Sequence, residues 1–167
     1  MDINYLAVLV AALVPLVMGF IWYNPKVLGN AWMKAAGLDE EKLKGANMAV
    51  IFGLSFVFSF LLAFFSQMLV IHQLHIGAAF FDYQEQIKDV ATPEGAIYKQ
   101  VMDLVGSGHR TFGHGAFHGV LSGLFLVMPI LATNAMFERK GFKYIAINTG
   151  YWIICLAIMG GIVCGWV

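Results

Sequence analysis

Charge is what this sequence has least of. Asp, Glu, Lys and Arg make up 12% of its 167 residues, about half the fraction usual in a soluble globular domain. The ten basic and ten acidic residues are also confined, because four stretches (5–23, 48–71, 112–137 and 144–167) contain none of them. The stretches are 19, 24, 26 and 24 residues long, and about 20 apolar residues suffice to cross a hydrocarbon core roughly 30 Å thick. A soluble enzyme, a nucleic-acid-binding domain and a disordered chain are thereby excluded. The sequence describes a polytopic membrane protein, a single all-α unit over residues 1–167 folded as a four-helix transmembrane bundle.

Other absences narrow the chemistry. Net charge is zero, so there is no basic surface to hold nucleic acid. The only cysteines, Cys155 and Cys164, both lie in the last apolar stretch, nine residues apart and thus on opposite sides of one helix. They form no disulfide framework and read as buried apolar groups. No acid or lysine lies within a span to couple protons or sodium, and no repeat supports alternating access. The string GSGHRTFGHG lacks the Gly-Lys-Ser/Thr ending of a phosphate loop. Ser55, Ser59, Ser66 and Ser122 have no elbow or orienting acid that would make a nucleophile of one of them.

The first stretch reads as a retained helix rather than a removable signal. Residues 1–4 carry Asp2 and no base, and the stretch ends in Trp22-Tyr23-Asn24-Pro25 instead of a small-residue cleavage site. Orientation follows from the connections. The first, 24–47, holds Lys26, Lys34, Lys42 and Lys44, and the third, 138–143, holds Arg139, Lys140 and Lys143. The second, 72–111, has only Lys88, Lys99 and Arg110 in 40 residues. The positive-inside rule makes the first and third cytoplasmic and places both termini outside; an acidic start at Asp2 agrees with translocation.

The long outer connection has structure of its own. Thr92-Pro93-Glu94 reads as N-cap, first-turn proline and first-turn acid, and Gly106 and Gly108 supply a stop. Ile97, Val101 and Leu104 recur between them at helical spacing, so Pro93–Val105 is expected to be a short amphipathic helix on the bundle or in the lipid interface. Phe80, Phe81 and Tyr83 are read as outer anchors, and Trp22, Tyr23 and Trp32 as a cytoplasmic aromatic belt. Asp39-Glu40-Glu41 has the acid bias of a helix start, with Gly45 a break before the second span.

Sidedness is strongest in the third span. Thr111, His114, Gly115, His118, Gly119 and Ser122 share one arc of a helical wheel, with Phe117, Val120, Leu124, Val127 and Leu131 opposite. Gly115, Gly119 and Gly123 form a doubled small-xxx-small motif for close helix packing, within one chain or between chains. In the second span Ser55, Ser59 and Ser66 cluster beside Gln67 and suggest a helix seam. In the fourth, Asn148, Tyr151 and Cys155 share a face, while Gly160, Gly161 and Gly165 permit close approach near the outer end. Asn24, Asn47, Asn134 and Asn148 belong to the cytoplasmic ends of the spans, where caps or interhelical bonds account for them.

The histidines are the one constellation with chemical content. His72 and His75, in HQLH, are read as closing the second span; His109, His114 and His118, in HRTFGHGAFH, open the third. Spacings of three and four put each of the pairs His72/His75 and His114/His118 on one helix face. Two such pairs converging would supply a tetrahedral imidazole site for zinc, with copper, nickel or iron as alternatives. Bis-histidine haem between two helices is another reading, and capping or packing without chemistry is a third.

Several strings resemble a known family. NYLAVLVAALV, GFIWYNP and GNAWMK, then Gly-Leu-Asp-Glu-Glu and NMAVIFGLSF, are similar to the bacterial membrane proteins grouped as domain of unknown function 1761. The closing TNAMFERKGFKYIAINTGYWIICLAIMGGI resembles that family's ending, with Asn134, Phe137, Glu138, Asn148, Gly150 and Tyr151 in matching places. The resemblance spans the chain apart from its enlarged outer connection. It implies a four-helix protein of a bacterial inner membrane and no particular activity.

Three functions remain open on the residues alone. The first is a non-enzymatic membrane component, homo-oligomeric or bound to another membrane protein through its outer loop and helix. The second is a transition-metal or haem site at His72, His75, His114 and His118. The third is a small oligomeric channel or transporter, for which the second span's serines are the only lining on offer.

Overall fold

Hydrophobic stretches free of charge become helices because every backbone polar group must be satisfied within the segment itself in lipid. The computed structural model describes residues 3–167, the side chain of Glu40 excepted; Asp2 lies outside the described residues. Among these residues the structure is helical, with no strand. Helix α1 is Tyr5–Trp22, α2 Gly29–Ala36, α3 Glu40–Leu43, α4 Met48–Val70, α5 His72–Ala79 and α6 Pro93–Val105. Helices α7 (Phe112–Ser122) and α8 (Met128–Phe137) form one span through a π turn at Gly123–Val127, and α9 is Phe142–Gly165. Four helical segments, Tyr5–Trp22, Met48–Val70, Phe112–Phe137 and Phe142–Gly165, are long and apolar enough to cross a membrane. The protein is a small four-span membrane protein.

Short polar side chains start most of these helices by accepting orphan first-turn N–H groups. Asn4 accepts from Ala7, Asp39 from Lys42, Asn47 from Val50, Thr92 from Gly95 and Thr111 from His114. Helix α6 has the bounds its cap, first-turn proline and terminal glycine announce. Its Ile97 and Leu104 are exposed. Helix α2 has no such start signal, since Leu28 provides no side-chain cap, and the sequence reading passes over it. The fourth span begins two residues earlier than the uncharged run, taking Lys143 into its first turn.

The second span also differs. It ends at Val70, because Ile71 is extended (φ −108°, ψ 103°) and the chain restarts as α5. His72 and His75 therefore open a separate helix instead of closing the span.

Helix α9 is the centre of the bundle, touching α1, α4, α7 and α8. Its contact with α7 is the most extensive and depends on absent side chains. A Cβ on Gly115 would lie 2.1 Å from the Gly160 carbonyl oxygen, and one on Gly119 would lie 2.1 Å from that of Leu156. At Gly123 it would meet the Ile153 side chain at 2.7 Å. Backbone thus rests on backbone within one chain, the geometry that small-residue motifs permit.

Elsewhere the core is made of Val8, Ala11 and Ala12 of α1, Ala63 and Val70 of α4, and Tyr151, Cys155, Met159 and Val163 of α9. Ser66 donates to the Ala63 carbonyl and Gln67 to that of Phe64, so both buried polar groups are satisfied by their own preceding turn.

The π turn has an identifiable cause. Pro129 cannot donate to the helical ladder, and its ring crowds the carbonyl four residues earlier. The ladder widens upstream, with the Met128 N–H reaching the Gly123 carbonyl five residues back.

At the basic end of the bundle, aromatic groups turn inward. Trp22 Nε1 donates to the Ile147 carbonyl at 3.1 Å and Tyr23 Oη to Asn148 Oδ1 at 2.9 Å, while Trp32 packs edge-on against Tyr23. These three are half-buried and serve as a seam onto α9 and α2, in addition to any belt they form with lipid.

Candidate metal centre

The break at Ile71 positions the site at the opposite end. Interrupting α4 there frees the Val70 carbonyl, and the thiol of Cys164, deep in α9, donates to it at 3.4 Å. Helix α5 then sets off in a new direction and carries His72 onto the first turn of α7. His114 and His118 stand one turn apart on α7, on the same arc as the glycines that seat that helix against α9.

One nitrogen from each of His72, His114 and His118 lies within 4.8 Å of the other two. His72 Nε2 and His114 Nε2 are 2.9 Å apart, so one ring donates and the other accepts. All three residues are half-buried. Burial first, and then the neighbouring rings of His118, His109 and His75, hold His72 below the usual histidine range. The ring is therefore neutral at pH 7, the form that ligates metals.

His75 is not brought into this group. Its ring is exposed, its centroid is 6.2 Å from that of His72, and its Nε2 lies against the Met68 carbonyl. His109 stands closer than its place in the sequence suggests, with its ring 4.9 Å from that of His114 and 5.5 Å from that of His72. Only folding reveals that proximity, since Gly106 to Thr111 carry no periodic signal.

The donor set limits the chemistry. Three imidazoles with no carboxylate in the group suit zinc, copper, nickel or iron(II) and disfavour hard cations such as magnesium and calcium, which require oxygen. In a tetrahedral site with metal–nitrogen bonds of about 2.0–2.1 Å, two donor nitrogens stand roughly 3.3 Å apart. The His72–His114 pair at 2.9 Å needs to open by only a few tenths of an ångström. Two axial haem ligands, by contrast, stand about 4 Å apart with the macrocycle between them, at similar bond lengths. The His72–His114 pair leaves no such slot.

A family model described as "Protein of unknown function (DUF1761)" matches residues 6–164. No curated protein and no solved structure matches the chain.

Proposed function

This chain belongs to the DUF1761 family, and from that premise we propose that it is a membrane protein that binds one transition-metal ion through His72, His114 and His118. The convergence of three imidazole nitrogens within 4.8 Å, drawn from two helices 42 residues apart in sequence, carries this reading. Ionisable groups at a membrane boundary are costly to bury and are a functional hypothesis by default. With seven of ten basic residues in the first and third connections, the site faces outward from a bacterial inner membrane, and both termini lie on the same side as the site.

Elemental analysis and a visible spectrum of protein purified without a polyhistidine tag test the proposal. Stoichiometric metal is expected in the wild type and none in His114→Ala/His118→Ala. Metal-free protein after chelator-free preparation and addition of zinc, copper or cobalt would sink it.

A second reading, association with a further copy or with another membrane protein, has its own support. Every residue from Met48 to Leu54 is exposed, on all faces of the first two turns of α4. A helix exposed all round is covered either by lipid or by a neighbouring protein. Mass in detergent by light scattering separates the two: a single-chain mass leaves lipid as the cover.

A further inference from the structure

His109 is held in an unusual conformation. Its φ is +65°, and Arg139 is the only other non-glycine residue with a positive φ among those described. A left-handed backbone costs an ordinary residue about 1–2 kcal/mol, so it persists only where surrounding contacts impose it. Those contacts are present. The His109 carbonyl accepts from the Thr111 N–H at 2.9 Å and lies 3.3 Å from the Cys164 thiol, whose one proton it shares with the Val70 carbonyl. Arg110 Nε donates to the Cys164 carbonyl at 2.7 Å, and Gln73 holds the carbonyls of Gly106 and Gly108. The backbone is pinned from α5 and α9, and the exposed imidazole is carried beside the rings of His72 and His114.

Ring positions say what that imidazole is for. When two imidazoles bind one metal tetrahedrally, at about 2.0–2.1 Å, their ring centroids lie roughly 5 Å apart. The pairs His72–His114, His114–His118 and His72–His118 stand at 4.8, 4.5 and 5.4 Å. His109 stands at 4.9 Å from His114 and 5.5 Å from His72, close to the separations within the group for those two rings. His75, at 6.2 Å from His72 with its Nε2 on a backbone carbonyl, falls outside it.

We propose that His109 is the fourth protein ligand, a lid that closes over a metal held by His72, His114 and His118 and the one ligand that exchanges when metal enters or leaves. The inference rests on the three-histidine reading above. Turning the ring about its side-chain bonds aims a nitrogen inward, since its centroid already stands at ligand distance from those of His72 and His114. One of His72 and His114 must also move its proton to Nδ1, because metal binding needs both Nε2 lone pairs. His114 and His118 stay fixed by the packing of α7 on α9 and His72 is borne by α5, whereas His109 is loop-borne and open to water. A closed site with one loop-borne ligand suits a protein that takes up and passes on its metal, for which an unshielded coordination position is needed only transiently.

The test is cobalt(II) binding by the untagged full-length protein in detergent. It compares wild type, His109→Gly, His75→Ala and His118→Ala. Glycine is chosen because it adopts φ +65° without strain, so loss of the ring is not confounded with loss of the loop. His109→Gly is expected to keep one equivalent of cobalt. It should bind at least tenfold more weakly, release cobalt faster to a chelator, and lose one imidazole by X-ray absorption. His75→Ala should match wild type. If His109→Gly matches wild type while His118→Ala loses cobalt, His109 is not a ligand and the three-histidine site stands. The inference also falls if His75→Ala is the variant that loses an imidazole. If wild type binds neither cobalt, zinc nor copper, the three-histidine reading falls, and His109 with it.

Discussion

The side-chain amide of Gln73 donates to the carbonyl of Gly106 at 2.8 Å, so the residue next to His72 holds the loop that carries His109. Gln73 is buried, and it also donates to Gly108 at 3.3 Å. One side chain thus couples the start of α5 to the approach to α7, the two segments that supply the histidines.

Replacing Gln73 with Leu keeps the volume and removes this coupling. The carbonyls it releases belong to exposed residues and find water, so the expected cost is about 1 kcal/mol, the net worth of an ordinary hydrogen bond. Amides of residues 106–110 should exchange hydrogen faster while those of α9 do not change. Exchange mass spectrometry reads both, and unchanged protection in 106–110 would show that other bonds suffice to hold the loop.

The glycine seam gives a sharper contrast. Gly119→Ala forces a methyl group to 2.1 Å from the Leu156 carbonyl, whereas a Cβ on Gly113 meets nothing within 4 Å. Overpacking of this kind costs about 1–3 kcal/mol and sometimes more. Gly119→Ala should unfold at markedly lower denaturant in mixed micelles than wild type, with Gly113→Ala close to wild type. Equal behaviour of the two would mean that α7 and α9 are further apart than described here.

Tyr151 offers a measure of a buried interhelical bond. Its hydroxyl donates to the Pro15 carbonyl at 2.7 Å. Bonds of this type average about 0.6 kcal/mol in membranes and reach about 1.7. Tyr151→Phe should therefore lose between these values and keep its secondary structure, as judged by a denaturation curve and circular dichroism. A loss of several kcal/mol would assign Tyr151 a larger part in the bundle than one bond.

Topology is open to chemical labelling, because both native thiols are fully buried and should stay silent to a membrane-impermeant maleimide. Lys99→Cys, in α6, should react in intact cells. Lys42→Cys, in the first connection, should react only after the membrane is opened. The opposite pattern would invert the orientation and place the histidines on the cytoplasmic face.

How much of this is legible before folding depends on the range of the forces involved. Helix α6 is written out locally, since Thr92, Pro93 and Gly106 each act on their own turn. The end of α4 is not, because Ile71 is neither glycine nor proline and nothing in HQLH announces a break. The break is stabilised by the thiol of Cys164, 94 residues away. The same holds for His109, whose left-handed backbone is imposed by α9 and α5. Helix α2 escapes notice for the simpler reason that it lacks a capping side chain.

By itself, the sequence determined that the chain spans a bilayer four times, that it is all-α, and that five histidines gather toward one end. Partition into hydrocarbon is close to a sum over residues, so composition decides it without knowledge of any contact. Tertiary structure alone decided that α7 lies backbone to backbone on α9, and that His72 meets His114 and His118 while His75 turns to Met68. It also brought His109, on an irregular loop, to the same place. Those outcomes depend on which distant groups share a boundary, and a packed interface of glycine on carbonyl is set by both partners at once.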